Sequence, residues 1–394
     1  MHNYRYLTKT ITILLISLIT ITGNSLFAQE EQDEKEQGFI FTTVKKLPAT
    51  GIKNQARTGT CWSFATVSFL ESEAMRLGKD SLDLSEMFMV RHVYPPKARH
   101  YVRFHGMASF GSGSLAHDAM RVFRDYGAVP ESVYSGKFVG QSKHNHGEMD
   151  AVLKGVLDAV IKNRGRKLSN VWLNAVNAIL DTYLGKIPEK FNYNGKTYTP
   201  KSFAKEIGIN PDDYLELSSF THHPFYAQFM LEVPDNWSAG QCYNLPLDDL
   251  MAVIDNAIDN GYSIAWDGDT SEKGFNAKEG VAILPLKEWD DRTKAEKDTL
   301  CKAPEPEKVV TQEYRQETFD NYKSTDDHLM HIIGITKDQN DTRYYITKNS
   351  WGTKEKGNGG FINMSESYVR AKTISILVHR DAVPKRIGKK LRLQ

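Results

Sequence analysis

This chain contains few cysteines and has almost no net charge. It has three cysteines in 394 residues, Cys61, Cys242 and Cys301, and an odd count leaves at least one free thiol. Cys242 and Cys301 either form a disulfide or are two free, buried residues, and the sequence leaves both alternatives open. The formal net charge is +1, so the charge balance gives no indication of binding to nucleic acid or to a membrane surface.

Long apolar runs are scarce as well. The N-terminal run, residues 11–21, is shorter than the about 20 residues that a membrane-spanning helix needs. Arg5 and Lys9 precede it, and a small-residue cleavage site, Leu-Phe-Ala, follows at residues 26–28. This pattern predicts a signal peptide over residues 1–28, and hence a secreted or periplasmic protein with no stable membrane anchor after cleavage. A single membrane anchor is the alternative.

A cysteine stands at the start of a helix-spaced apolar run. In the stretch NQARTGTCWSFA, residues 54–65, Cys61 precedes apolar residues that recur at helical spacing. A helix N-terminus carries unpaired N–H groups and a partial positive charge, which favour a thiolate. Gln55 is placed to aim its side-chain amide at an oxyanion, together with the Cys61 N–H. The stretch predicts a nucleophile, and a small buried apolar cysteine is the alternative.

A histidine and an asparagine far downstream supply the partners that such a thiol needs. His331 begins the apolar run of a predicted strand, and Asn349 closes a second one in the sequence KNSWG. Asn349 is expected to hold the His331 imidazole by a hydrogen bond that Trp351 shields from water. Cys, His and Asn in this chain order predict a nucleophile, a general base and an orienting residue. His328 is the competing base, and it ranks second because it precedes the predicted strand.

No metal or organic cofactor is predicted. The adjacent pair His222 and His223 lies among predicted strands, where neighbouring side chains point in opposite directions and make a poor metal site. The histidines within residues 326–331 have only two aspartates at ligand spacing.

Residues 149 to about 208 show strong helical periodicity. Apolar residues recur at spacings of three and four over residues 152–161 and again over residues 172–184. The pattern predicts a helical hairpin with one apolar face on each helix. Such a hairpin forms either an interface or lid, or an elaboration packed on the core.

The motifs around Cys61 resemble those of the papain-like cysteine peptidases. That family's signature, C-G-[SA]-C-[WY], corresponds to residues 58–62, in which Thr58 replaces the first cysteine and Trp62 follows the second. KNSWG is also similar to the family pattern. Gly113 matches the first glycine of the family's substrate-binding pair, and Ser114 replaces the second, so Gly113 and Trp351 are the candidate cleft residues.

The resemblance implies an α+β papain-like two-lobe fold with a helical left lobe, a β-rich right lobe and a large helical insertion. The expected segments are a signal peptide (1–28), an acidic tail (29–38), a left lobe with the nucleophile helix (39–148), the helical insertion (149–210), the right lobe with His and Asn (211–384) and a basic C-terminal tail (385–394).

The insertion and the segments SSFTHHPFY and LEVPDNW look like the bleomycin hydrolase and aminopeptidase C branch of this family. The resemblance implies an exported cysteine aminopeptidase that removes N-terminal residues from peptide substrates through a Cys–His–Asn triad and a thioester. It also implies a homo-oligomer and a C-terminal carboxylate that lies in the cleft and binds the substrate amine. For the basic tail of this chain, a disordered, solvated end is the alternative. The alternatives are an endopeptidase with an open cleft and an inactive papain-fold binding protein.

Overall fold

The computed structural model describes residues 38–393 apart from residues 138, 139, 164 and 166. The predicted signal peptide, and all of the predicted acidic tail except Gly38, lie outside the described residues. Within the described part of the chain, no helix is both long enough and apolar enough to cross a membrane.

The described residues form helices and strands that alternate unevenly along the chain. The helices are α1 (Cys61–Arg76), α2 (Glu86–Arg103), α3 (Ala116–Tyr126), α4 (Gly147–Ile161), α5 (Val171–Leu184), α6 (Pro200–Ile207), α7 (Leu247–Asp259), α8 (Lys294–Asp298), α9 (Gln312–Asp320), α10 (Glu366–Lys372) and α11 (Lys385–Leu391). The strands are β1 (Thr42–Lys46), β2 (Phe191–Tyr193), β3 (Lys196–Tyr198), β4 (Tyr214–Ser218), β5 (Gln228–Met230), β6 (Gln241–Asn244), β7 (Ile264–Gly268), β8 (Phe275–Asn276), β9 (Val281–Ala282), β10 (His328–Lys337), β11 (Arg343–Lys348), β12 (Phe361–Ser365) and β13 (Thr373–His379).

Helix α1 is the centre of a helical core. Residues 62–74 of α1 are all buried, so the helix is covered on every side while its first residue stays at the edge of the core. Helix α2 begins at Ser85, whose side chain accepts a hydrogen bond of 3.0 Å from the Phe88 N–H. That capping bond satisfies one of the unpaired N–H groups of the first turn.

The predicted helical hairpin is present as α4 and α5. Each helix buries one apolar face, through Met149, Leu153 and Leu157 on α4 and Val176, Leu180 and Leu184 on α5. Both helices pack on α2, where Arg91 pairs with Asp181 at 2.7 Å and the Tyr101 hydroxyl donates to Asp158 at 2.7 Å. The hairpin is therefore joined to the nucleophile lobe. The short β2–β3 hairpin and α6 follow it.

One large sheet carries the second half of the chain. In the described residues its strand order is β5-β6-β4-β13-β7-β10-β11-β12-β9-β8, with β1 also paired to β10. Strand β10 pairs with β11 along one edge; on the other edge it pairs with β7 over its first half and with β1 over its second. Helix α1 packs on one face of this central strand. The contact between α1 and the start of β10 places the cysteine beside the strand that carries both histidines.

Candidate active site

Cys61 is the first residue of α1 and is partly exposed. The backbone N–H groups of Leu329 and Trp62 lie within hydrogen-bonding reach of its sulfur. Burial, followed by the charges of Asp326 and Asp267, nevertheless raises the pKa of the thiol to about 12. The cysteine is therefore accessible and held at a helix N-terminus, and its burial opposes ionisation of the thiol in the substrate-free protein.

His328 is the histidine next to this thiol, because it immediately precedes Leu329 in the chain. Its Nε2 lies 2.8 Å from Asn349 Oδ1. The Ser350 N–H donates to the same oxygen at 2.7 Å. Since a backbone N–H can only donate, the Asn349 atom at this point must be the carbonyl oxygen, and His328 Nε2 must carry the proton. The neutral ring therefore keeps its lone pair on Nδ1.

The expected hydrogen bond between His331 and Asn349 is wrong. Strand β10 begins at His328, three residues earlier than the sequence indicated, so His328 is itself a strand residue. Residues an odd number apart in a strand face opposite sides of the sheet. His331 consequently points at α1, where its Nδ1 lies 2.9 Å from Ser68 Oγ. Ser68 is seven residues beyond Cys61, or about 10 Å along the helix.

His331 belongs to a buried polar chain. Lys348 Nζ donates to Ser68 Oγ and to Thr50 Oγ1, each at 2.8 Å, and Thr50 in turn donates to Glu71. The His331 side chain is 0% exposed, and burial together with the Lys348 charge holds the pKa of its imidazole well below the usual range. A ring sealed from solvent in this way has no path to a substrate.

Gln55 is tied into the same end of the site as His328. Its Nε2 donates to Thr58 O at 2.8 Å, and its Oε1 accepts from Ser350 Oγ at 2.5 Å. The side-chain amide is thus held by both of its polar atoms, and Nε2 keeps a second hydrogen for another acceptor. The same Ser350 anchors Gln55 by its hydroxyl and Asn349 by its N–H.

Trp351 covers His328. The two ring centroids are 4.7 Å apart with an interplanar angle of 34°, and Phe275 packs edge-on against the indole, with ring centroids 5.8 Å apart. His328 is only 4% exposed. The tryptophan therefore limits the access of water to the His328 ring. The sequence predicts this shielding function for Trp351, but at His331.

Gly113 lies beside the first turn of α1, since Trp62 Nε1 donates to Ser112 O at 2.8 Å. The Gly113 carbonyl accepts from Lys97 Nζ. Its open face is occupied: a Cβ added here would overlap the carboxylate of Asp235. The predicted cleft residue is thus covered by an acidic side chain that the sequence analysis did not single out.

The structure decides between the two alternatives for Cys242 and Cys301. All three cysteines are free thiols, and both Cys242 and Cys301 are buried, so the alternative without a disulfide is confirmed.

His222 and His223 lie at a turn and both contact one oxygen of Glu232, at 2.8 and 3.2 Å. Gln316 accepts from the Thr221 N–H and must therefore donate to His222 Nδ1. In the neutral His222 ring this donation puts the proton on Nε2, where a metal would need a lone pair.

The C-terminal segment is not a free tail. Residues Lys385–Leu391 form α11, which buries Ile387 and Leu391 against the core of the sheet lobe. Arg386 pairs with Asp249 at 2.5 Å, and Arg380 binds the carbonyl of Leu393.

Arg380 follows the end of β13, whose first residue, Thr373, pairs with Gly268 beside His328. The strand puts about 20 Å between its two ends. Leu393, the last described residue, therefore lies away from the cleft. The terminal carboxylate belongs to Gln394, which is outside the described residues, so its expected position in the cleft stays a prediction.

A helical lobe, a β-rich lobe, a cysteine at a helix N-terminus between them and a histidine held by an asparagine define a papain-like cysteine peptidase. The chain belongs to the Peptidase C1-like family, whose sequence profile matches residues 98–394. The match begins after Cys61, so the nucleophile candidate rests on the structure and on its own local sequence.

Relatives cover most of the chain. Aminopeptidase G of Lactobacillus delbrueckii subsp. lactis is 23% identical over 385 residues, which span 88% of this chain and 84% of that protein. Aminopeptidase W of the same organism is 25% identical over 384 residues, 87% of this chain and 84% of that protein. The crystal structure of PepW from Lactobacillus rhamnosis shares the fold, with a TM-score of 0.70 at 18% identity over 89% of this chain and 85% of that one.

Proposed function

We propose that this protein is a cysteine aminopeptidase in which Cys61 is the nucleophile, His328 the general base and Asn349 the orienting residue. The observation that carries the proposal is the 2.8 Å bond from His328 Nε2 to Asn349 Oδ1, because it leaves Nδ1 as the basic atom next to the residue that contacts the thiol. The names of the relatives support action on peptide N-termini. This assignment replaces His331 with His328 as the base.

The proposed reaction starts from a neutral pair. Burial lowers the pKa of the His328 imidazole to about 4, although its bond to Asn349 raises it, so the ring is unprotonated at pH 7. In the first step, His328 Nδ1 takes the thiol proton while the Cys61 sulfur attacks the carbonyl carbon of the substrate. Proton transfer and attack are coupled, because a free thiolate is disfavoured in the resting site.

The oxyanion that forms is stabilised by two donors. One is the Cys61 backbone N–H, which belongs to the unpaired first turn of α1; the other is the second hydrogen of Gln55 Nε2. His328 then gives its proton to the leaving amine, and a thioester remains on Cys61. A water molecule, deprotonated by the same imidazole, hydrolyses this thioester and releases the N-terminal residue as the acid.

The test is hydrolysis of two fluorogenic peptides that differ only in acetylation of the N-terminus, with Cys61→Ala as the control. Cleavage of the free-amine peptide alone, lost in Cys61→Ala, is the expected result. Cleavage of both peptides would indicate the endopeptidase alternative. Cleavage of neither would favour the inactive binding protein.

Export and assembly are further parts of the proposal. The basic, apolar and small-residue order of residues 1–28 supports a cleaved signal peptide; N-terminal sequencing of the protein from the periplasm or medium tests it, and an intact Met1 in the cytoplasm would contradict it. The homo-oligomer rests on the family resemblance, and sedimentation velocity tests it, with a monomer as the contrary result.

A further inference from the structure

An aminopeptidase needs a group that recognises the free α-ammonium of its substrate. The inference below rests on the proposed function, and it starts from the position of the C-terminus. Because α11 and Leu393 are fastened at the far end of β13, the described end of the chain lies away from Cys61. A negative group that lies near the thiol is the alternative for this role.

Three carboxyl groups from separate segments converge beside Cys61. Asp267 is on β7, directly opposite Leu329, whose N–H contacts the thiol. Asp326 precedes β10 by two residues, and its carboxyl is within hydrogen-bonding reach of Asp267. Asp235, on the loop between β5 and β6, lies over Gly113, and its charge acts on Asp326. We call these three residues the acidic pocket.

Hydrogen-bond donors are sparse in the pocket, where Ser375 Oγ donates to Asp267 Oδ2 at a long 3.4 Å. Asp267 is 2% exposed, yet its Oδ1 has no hydrogen-bond donor among the described residues, and neither has Asp326 Oδ2. Burial, and then the charge of Asp235, raises the pKa of Asp326 to about 7, and burial with Asp326 raises that of Asp267. Two facing carboxyl groups can form a hydrogen bond with each other only if one of them keeps its proton. A bound cation can replace that proton.

The neighbouring charged groups have other contacts. Lys97 is 1% exposed and donates to the Gly113 carbonyl, and among the described residues it forms no ion pair with the pocket. Asp327 accepts from the Thr270 N–H at 2.9 Å. Glu216 is paired with His117 at 2.8 Å. The Lys97 charge nevertheless acts on Asp235 and Asp326 and lowers their pKa, against the larger effect of burial. The acidic pocket therefore sets three carboxyl groups against the ammonium of Lys97.

The geometry of a peptide fixes how far the substrate α-ammonium can lie from the thiol. The nitrogen of an N-terminal residue is two bonds, about 2.5 Å, from the carbonyl carbon of that residue. That carbon must approach the Cys61 sulfur to about 3–3.5 Å. The ammonium of a bound substrate is consequently held within a few ångströms of the thiol, where Asp326 and Asp267 act on the sulfur.

We propose that the acidic pocket of Asp235, Asp267 and Asp326 binds the free α-ammonium of the peptide substrate and so confers aminopeptidase specificity. The bound ammonium also offsets the two carboxylates that oppose a negative charge on Cys61. Nucleophile activation thus depends on the presence of a substrate with a free N-terminus. Asp235, which covers Gly113, blocks the part of the cleft where any residue preceding the N-terminal residue of the substrate would lie.

The kinetic test uses Asp235→Asn and Asp326→Asn, each isosteric and each lacking one charge. For the free-amine peptide the KM is expected to rise about 10- to 100-fold, as for the loss of one hydrogen bond to a charged group, with a smaller change in kcat. The acetylated peptide gains in relative rate. Asp298→Asn, the same change at an exposed residue of α8, is the matched control and leaves both peptides unaffected.

A binding test separates this proposal from the proposed reaction. In the Cys61→Ala background, calorimetry compares Ala-Ala-Ala with its N-acetyl form, and then repeats the pair with Asp235→Asn or Asp326→Asn added. Tighter binding of the free amine that disappears in the acidic-pocket variants supports the proposal, even if the wild-type protein shows no hydrolysis. Equal binding of the two peptides, or a preference that both variants retain, overturns it.

The alternative binding group for the substrate α-ammonium is the C-terminal carboxylate. An extension by Gly-Ser-Gly moves the terminal carboxylate and leaves α11 in place. We expect the preference for the free-amine peptide to be unchanged in the extended protein. Loss of that preference on extension, with no effect of the two aspartate changes, would assign the amine to the C-terminal carboxylate.

Discussion

His328 donates its Nε2 proton to Asn349 Oδ1 at 2.8 Å, while His331, three residues along the same strand, faces α1 and contacts Ser68. The odd spacing puts the two imidazoles on opposite faces of β10. One ring keeps an unprotonated nitrogen at the residue before Leu329, whose N–H reaches the thiol, and the other is sealed in the core. The alternation of a strand therefore decides which histidine can exchange protons with a substrate.

Substitution of the two histidines should affect kcat differently. His328→Ala removes the base and is expected to lower kcat about 10²- to 10⁴-fold; because this ring is also buried and hydrogen-bonded, it should cost about 1–3 kcal/mol of unfolding free energy as well. His331→Ala leaves a cavity and unpaired partners in a buried chain, so it should cost about 1–3 kcal/mol of unfolding free energy and largely retain kcat. Steady-state kinetics and urea unfolding check both. A His331→Ala protein that is folded but inactive would contradict the assignment.

Asn349→Ala should change the pH profile as well as the rate. The bond to Asn349 raises the pKa of the His328 imidazole, against the larger effect of burial, which lowers it to about 4. Since the ring must be neutral to accept the thiol proton, activity should fall as pH drops through about 4. Without Asn349 this acid limb moves to lower pH, and kcat decreases because the ring is no longer oriented. An acid limb that stays in place would argue against the hydrogen bond.

Asp326 should make the wild-type protein less stable as pH rises from about 4 to about 7. Its folded-state pKa is raised to about 7, above the about 3.9 of an unfolded aspartate. Between these values the native protein holds more protons than the unfolded chain, so the unfolding free energy decreases with pH. In Asp326→Asn this decrease should be smaller. Urea midpoints at pH 4, 5.5 and 7 measure it, and parallel curves for the two proteins would refute the assigned pKa.

Gly113 and Asp235 should be coupled in a double-mutant cycle. Gly113→Ala places a methyl group against the Asp235 carboxylate and is expected to cost about 1–3 kcal/mol of stability, as overpacking does. In an Asp235→Ala background the overlap is gone, so the same change should cost less. Equal costs in the two backgrounds, measured by denaturant unfolding, would mean that the two groups do not touch.

The sequence determined the local structure around Cys61. The helical spacing after Cys61, the Ser85 cap and the periodic stripes of residues 152–184 each depend on neighbours within a few positions, and these elements are present in the structure. Gln55, Cys61 and Asn349 were likewise found from short motifs. Local patterns suffice where the deciding contacts are close in the chain.

Only the tertiary structure decided which histidine meets Asn349, where the C-terminal helix lies and which carboxylates surround the thiol. His328 and His331 differ by a strand boundary of three residues, and apolar periodicity does not set such a boundary, because pairing with β7 does. Asp235, Asp267 and Asp326 come from three segments that the sheet and its loops bring together. Their charges act through space on Cys61, and no spacing along the chain records that proximity.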